Sequence, residues 1–279
     1  MNLFQGRRLA IATKHNKEKV IGPKVASKLG VLPFVPENLD TDQLGTFTGE
    51  VERQADPLTT ARKKCEMAMA STGCDLAIAS EGSFGAHPTL MFVPCDEELV
   101  LLVDKKNDLE IVGRKLSTHT NYGGQWCKST QEVISFAKQA SFPSHALILR
   151  SDKTPQALIF KGISEKRDLL RKFQVIVETY DQAFIETDMR ALYNPTRMEV
   201  IAETTDAMLE RAVSLCEKCQ MPGFGITDVK TGLRCMQCHL PTQSIKAYIY
   251  SCSKCGFTRE RPNPNKSFEE PMYCDYCNP

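Results

Sequence analysis

Four Cys-x-x-Cys pairs close this chain, and they restrict its fold more than any other feature. Eight of the twelve cysteines fall in the last 64 residues, as Cys216/Cys219, Cys235/Cys238, Cys252/Cys255 and Cys274/Cys277. The gaps between pairs are 15, 13 and 18 residues. Two cysteines three positions apart on a tight turn offer both sulfurs to one tetrahedral ion, and a hairpin brings a second such turn to its other side. Zinc then stands in for a hydrophobic core that so short a segment cannot build. Taken in chain order, the pairs predict two consecutive ribbons, residues 216–241 and 248–279. Spacing does not fix connectivity, so an interleaved arrangement, with pairs one and three on one ion, stays open. Ligation by four thiolates leaves no position for water, so two structural zinc ions are expected. Disulfides require an oxidising compartment, iron–sulfur ligation favours tighter cysteine runs, and a redox Cys-x-x-Cys belongs in a βαβ unit. Each fits this pattern less well.

Charge narrows the partners. The 279 residues carry 35 basic and 34 acidic side chains, which gives no overall field toward nucleic acid or an anionic membrane. From residue 216 onward there are eight Lys/Arg and six Asp/Glu, so the zinc-loaded tail has a net charge near −2. That disfavours a phosphate backbone. Tail aromatics such as Tyr248, Tyr250 and Phe257 are read mainly as covering the metal or docking a protein, and secondarily as stacking on bases. No apolar run approaches the ~18–20 residues that span a bilayer. The hydrophobic stretch within Met1–Ile11 is too short for a signal peptide. A cytoplasmic protein with no membrane partner is expected.

The first part of the chain alternates strand and helix signals. Arg8–Ala12 reads as a strand. The polar turn Thr13–Lys19 leads into a helix from about Lys17 to Leu29, which Gly30 stops. Leu32–Val35 is a second strand. A strand feeding a helix N-terminus is an anion site, to which Lys14 and Lys17 add charge. The polar loop Asp40–Glu50 carries three carboxylates. Asp56 caps a helix whose first position is Pro57, with Cys65 on its buried stripe and Arg62 and Lys63 outside it. Asp75–Ser80 is a buried strand running into Glu81-Gly82-Ser83-Phe84-Gly85, which places Glu81 at a strand end, where ligands gather. Leu99–Val103 and Leu109–Val112 form a hairpin, Ser129–Ala140 and Glu165–Tyr180 are helices, and His145–Leu149 is a strand. The cluster Glu186–Arg197 holds Arg190 and Arg197, which suit either phosphate recognition or a salt-bridge knot. Met198, Ile201, Thr205, Met208, Ala212 and Leu215 mark one face of a long helix leading to the cysteines. The expected fold is mixed α/β, a mixed sheet flanked by helices. The expected domains are residues 1–197, a connecting helix 198–215, and the two zinc ribbons.

Two resemblances follow from these residues. The Thr13-Lys14-His15 loop, Thr46–Glu50, Ser80–Gly85, Glu186–Arg197 and the four cysteine pairs resemble a bacterial family of unknown function with C-terminal zinc ribbons. More remotely, the first 90 or so residues are similar to the inosine/xanthosine triphosphate pyrophosphatase superfamily. That resemblance implies Mg²⁺-dependent cleavage of a phosphoanhydride in a nucleotide-like substrate. It implies phosphate-binding roles for Thr13, Lys17 and either Arg62 or Lys63, and catalytic carboxylates at Asp56 (with Glu50 as rival) and Glu81. The sequence departs from that superfamily in reading Glu-Gly-Ser where Asp-Ser-Gly is usual, and the ribbons are foreign to it. The functional expectation is therefore a Mg²⁺-dependent hydrolase of a phosphoanhydride or phosphoester, with Lys14, Arg190 and Arg197 as further phosphate ligands. The alternatives are a non-catalytic nucleotide- or anion-binding module whose ribbons dock a protein or ribonucleoprotein, and a purely structural adaptor.

Overall fold

The computed structural model describes residues 3–37, 39, 55–154 and 156–279. The chain divides into two compact units, Met1–Leu209 and Glu210–Pro279. The Asp40–Glu50 loop, Glu50 included, lies outside the described residues.

The first unit opens with β1 (Arg8–Ala12), α1 (Glu18–Leu29), β2 (Leu32–Phe34), α2 (Pro57–Thr72), β3 (Leu76–Ala86), β4 (Pro94–Asp104) and β5 (Leu109–Ser117). Gly30 ends α1 and Gly73 ends α2, both in the left-handed conformation that a glycine adopts without strain. The sheet order is β2-β1-β3-β4-β5. β1 runs parallel to β2 and β3, whereas β3, β4 and β5 form an antiparallel meander. The sheet is thus mixed, as expected from the sequence. One face carries Ala77, Ala79, Leu99, Leu101 and Val103 against Ala61, Cys65, Ala68 and Met69 of α2. Cys65 sits in that core with its thiol pushed up by burial.

The strand signal after Asp75 does not stop at Ser80. β3 pairs with β4 along its whole length, Leu76 with Asp104 through Ala86 with Pro94. Glu81 therefore lies in mid-strand rather than at a strand end. The strand that does end there is β1: its last pair is Ala12 with Ala79. Just past that last pair, Ser80 of β3 meets Lys17 at the start of α1.

A second, four-stranded sheet follows within the same unit, in the order β6-β9-β7-β8. Its strands are β6 (Gly124–Cys127), β7 (Leu147–Arg150), β8 (Ile159–Ile163) and β9 (Ala183–Thr187), with α3 (Thr130–Gln139) and α4 (Lys166–Tyr180) between them. Ser129 and Glu132 form a capping box at the start of α3. Val133, Phe136, Leu169, Phe173 and Ile176 bury the helices against Leu147, Leu149 and Ile185. Then comes α5 (Pro195–Val213). It presses on β5 at Gly113, where a Cβ would lie 2.5 Å from Met208 N and 2.6 Å from Thr204 O. Among the described residues no helix is long and apolar enough to cross a membrane.

The second unit is a three-stranded antiparallel sheet, β10 (Gly225–Thr231), β11 (Ile245–Ser251) and β12 (Thr258–Pro262), with one cysteine turn before β10, one after each of β10 and β11, and the last after β12. The turns share one build. Gln220 N, His239 N, Gly256 N and Asn278 N each donate to the carbonyl of the first cysteine of their pair. Gln220, His239 and Gly256 have positive φ.

Candidate functional site

The cysteines form two groups of four, Cys216/Cys219/Cys252/Cys255 and Cys235/Cys238/Cys274/Cys277. Within each group the sulfurs lie within 4.8 Å of one another. The pairing is interleaved, which corrects the two consecutive ribbons taken from chain order. The reason is topological. β10 is seven residues long, about 23 Å of extended chain, and it separates the first pair from the second. β11 returns antiparallel, so the third pair arrives beside the first; β12 then carries the chain back toward the second. The sites therefore lie at opposite ends of one sheet.

The sulfur geometry fits an ion. Cys216–Cys255 and Cys219–Cys252 are 3.7 and 3.6 Å apart, and Cys235–Cys277 and Cys238–Cys274 are 3.9 and 3.6 Å apart. A tetrahedron with zinc–sulfur bonds of about 2.3 Å has edges of about 3.8 Å. Lys218 N and Gln237 N donate to the sulfurs of Cys216 and Cys235 at 3.4 Å, which disperses thiolate charge. The two groups could hold two zinc ions. Glu217, inside the first turn, pairs with Arg259 and with Arg261 (2.8 Å) on β12 and so braces that turn against the sheet.

In the first unit, charged side chains gather where β1 gives way to α1. Lys17 is 8 % exposed, and its ammonium donates to Ser80 O (3.2 Å) and Ser80 Oγ (3.0 Å). Glu81, on the α2 face of β3, meets Lys64 at 2.5 Å. On the other face Arg197, from the first turn of α5, donates Nε to Glu98 Oε1 at 2.6 Å and Nη1 to Met189 O. Its guanidinium lies over Phe84, 5.1 Å from the ring centroid. Asp96 shares that face, two residues before Glu98 on β4. Gly82 is opposite Glu98, and a Cβ there would stand 2.3 Å from Glu98 Oε1 and 2.5 Å from Arg197 Nη2. This glycine makes room for a fully buried ion pair.

Electrostatics tie the groups together. Burial, then the charge of Arg197, pulls Lys17 down to about 8, against the opposing pull of Glu98 and Glu81. Burial, then the charge of Glu98, pushes Asp96 up to about 8, opposed by Arg197 and Lys17. Burial is the first cause of both shifts, and buried groups perturbed in this way are candidates for a functional role.

Of the residues singled out from the sequence, Lys17, Glu81 and Arg197 are brought together here, and Thr13 is buried at the end of β1. Lys14 is exposed. Asp56, Arg62 and Arg190 are engaged elsewhere. Asp56 accepts from Leu58 N, Thr59 N and Thr59 Oγ1 as the cap of its own helix, which holds its carboxyl below the usual range. Arg62 forms a two-pronged pair with Glu110. Arg190 pairs with Asp188 and stacks on Tyr193, so Glu186–Arg197 is part salt-bridge knot and part site. Lys64, Asp96 and Glu98 escaped the sequence reading. Asp96 and Glu98 lie just before the strand read at Leu99–Val103, although they share parity with Val100 and Leu102 of the buried strand.

Fold and site together define an α/β protein with a buried charge cluster at a strand–helix junction and a C-terminal sheet carrying a four-cysteine group at each end. The chain belongs to the family described as Domain of unknown function (DUF6671), whose model matches residues 64–279. That span includes Glu81, Asp96, Glu98, Arg197 and all eight paired cysteines, while Lys17 precedes it. No curated protein matches the chain.

Proposed function

We propose that the first unit is a Mg²⁺-dependent hydrolase of a phosphoanhydride or phosphoester in a nucleotide-like substrate, and that zinc in the second unit is structural and shapes a surface for a protein partner. The observation that carries the reading is the gathering of Lys17, Glu81, Asp96, Glu98 and Arg197 around the end of β1 and the start of α1. It also agrees with the remote likeness to the inosine/xanthosine triphosphate pyrophosphatases at Lys17 and Glu81, though not at Asp56.

The chemistry divides among these side chains. Lys17 and Arg197 meet the negative charge of the phosphates, and that charge grows on the leaving oxygen as the bond breaks. Glu81, its orientation fixed by Lys64, positions a water molecule and takes its proton. The water oxygen forms a new bond to phosphorus, and the bond to the leaving oxygen breaks with its electron pair. Bound Mg²⁺ supplies further neutralisation of the phosphate oxygens, and the carboxylates of the cluster are the hard donors it requires.

The test is a hydrolysis screen over nucleoside triphosphates, diphosphates and phosphoesters with and without Mg²⁺. Glu81→Gln should lower kcat by ~100-fold or more on any substrate found. Turnover unaffected by that change, or absent across the screen, would overturn the reading.

A further inference from the structure

Asp96 and Glu98 are alternate residues of β4, so both carboxylates leave the sheet on one face. Both are fully buried. Glu98 Oε1 is taken by Arg197. Glu98 Oε2 and both oxygens of Asp96 meet no N–H or hydroxyl donor among the described residues, and the two carboxyls can share a hydrogen bond with each other only if one of them is protonated. Buried carboxylate oxygens normally have donors, because withdrawing them from water is otherwise strongly unfavourable. Here three such oxygens sit together beside a like charge. Elsewhere on the same strand the opposite holds: Asp104 receives Arg7 on both oxygens, with Asn107 added.

Three carboxylate oxygens without a donor group suit a hard divalent cation such as Mg²⁺ or Mn²⁺, which takes oxygen ligands and is commonly held by one or two carboxylates with phosphates completing its shell. A soft metal finds no sulfur or imidazole in this set. We infer that Asp96 and Glu98 form a divalent-cation site, separate from the two cysteine sites and on the sheet face opposite to Glu81. Its role rests on the hydrolase reading: the cation and Lys17 would bracket the phosphates. Its existence does not. The rival occupant is a proton shared by the two carboxylates.

The experiment uses the full, zinc-loaded chain at neutral pH without nucleotide. Mn²⁺ is titrated in, and the loss of its free electron paramagnetic resonance signal is read. One saturable Mn²⁺ per chain, displaced by Mg²⁺, is expected. Asp96→Asn should weaken binding by about tenfold or more. Glu97→Gln, the exposed neighbour on the other face, should leave it unchanged. Zinc content and circular dichroism establish that each variant is folded. No saturable binding to folded protein, or equal binding in Asp96→Asn, would overturn the site and leave the shared proton. Mn²⁺ binding without turnover of any substrate keeps the site and rejects the hydrolase. Turnover that depends on Glu81 while Asp96→Asn binds Mn²⁺ normally rejects the site and keeps the hydrolase.

Discussion

Asp96 and Asp104 are both buried on β4, yet their surroundings push them in opposite directions. Burial would raise Asp104, but hydrogen bonds from Arg7 and Asn107 outweigh it and hold the carboxyl below its ordinary value. Its contribution to stability is therefore complete above the unfolded value near 3.8 and is lost as pH falls through the lower folded value. Asp104→Asn leaves Arg7 without its main partner. The cost should be about 3 kcal/mol, at the low end for a broken buried pair because Arg7 keeps some contact with water. Urea unfolding measures it. Asp96 has the reverse sign. Raised to about 8, it keeps a proton that the unfolded chain has already released. Stability in Mg²⁺-free buffer should therefore fall as pH rises from about 4 to about 8. Asp96→Asn should remove that slope and make the protein more stable at pH 8. An unchanged pH profile of the urea midpoint would contradict this.

At the scale of elements, the close approach of α5 to β5 depends on one missing methyl group. The two nearest atoms that a Cβ at Gly113 would strike belong to the helix backbone and the third is Met208 Cβ, fixed to that backbone, so no side chain can swing away. Gly113→Ala should cost about 1–3 kcal/mol in thermal unfolding, whereas Gly85→Ala, where a Cβ meets nothing within 4 Å, should cost far less. Equal effects would refute the packing argument. Thr204 and Thr205 tolerate full burial on this helix because each hydroxyl donates to the carbonyl four residues back. Most elements of the first unit were legible in the sequence, since Gly30, Gly73, Asp56-Pro57 and Ser129 are local signals acting on local backbone. The extension of β3 through Gly85 was not. It depends on β4, a partner across the turn, whereas the residues alone read as a strand ending at Ser80. Glu81, Lys17 and Arg197 could be named from residue type and position. Asp96 and Glu98 could not, because only the sheet register shows that their side of β4 is covered.

At the scale of the whole molecule, the cysteine spacing specified four-thiolate sites but not their wiring. Spacing measures contour length along the chain, whereas wiring follows from the antiparallel order of β10, β11 and β12. Zinc content of paired variants decides between the two arrangements. Cys216→Ser with Cys252→Ser strikes one site and should leave about one zinc per chain, whereas Cys216→Ser with Cys235→Ser strikes both and should leave less. Sequential pairing requires the reverse. The functional account depends on a different long-range arrangement, in which residues from α1, β3, β4 and α5 act as one unit. Groups that act together give strongly non-additive losses when removed in pairs. The most direct measurement is kcat/KM on the best substrate for wild type, Lys17→Met, Glu81→Gln and the double variant. Each single change should cost ~100-fold or more, and the double little beyond the worse single. Losses that simply multiply, or a single variant with full activity, would contradict a shared site at the end of β1.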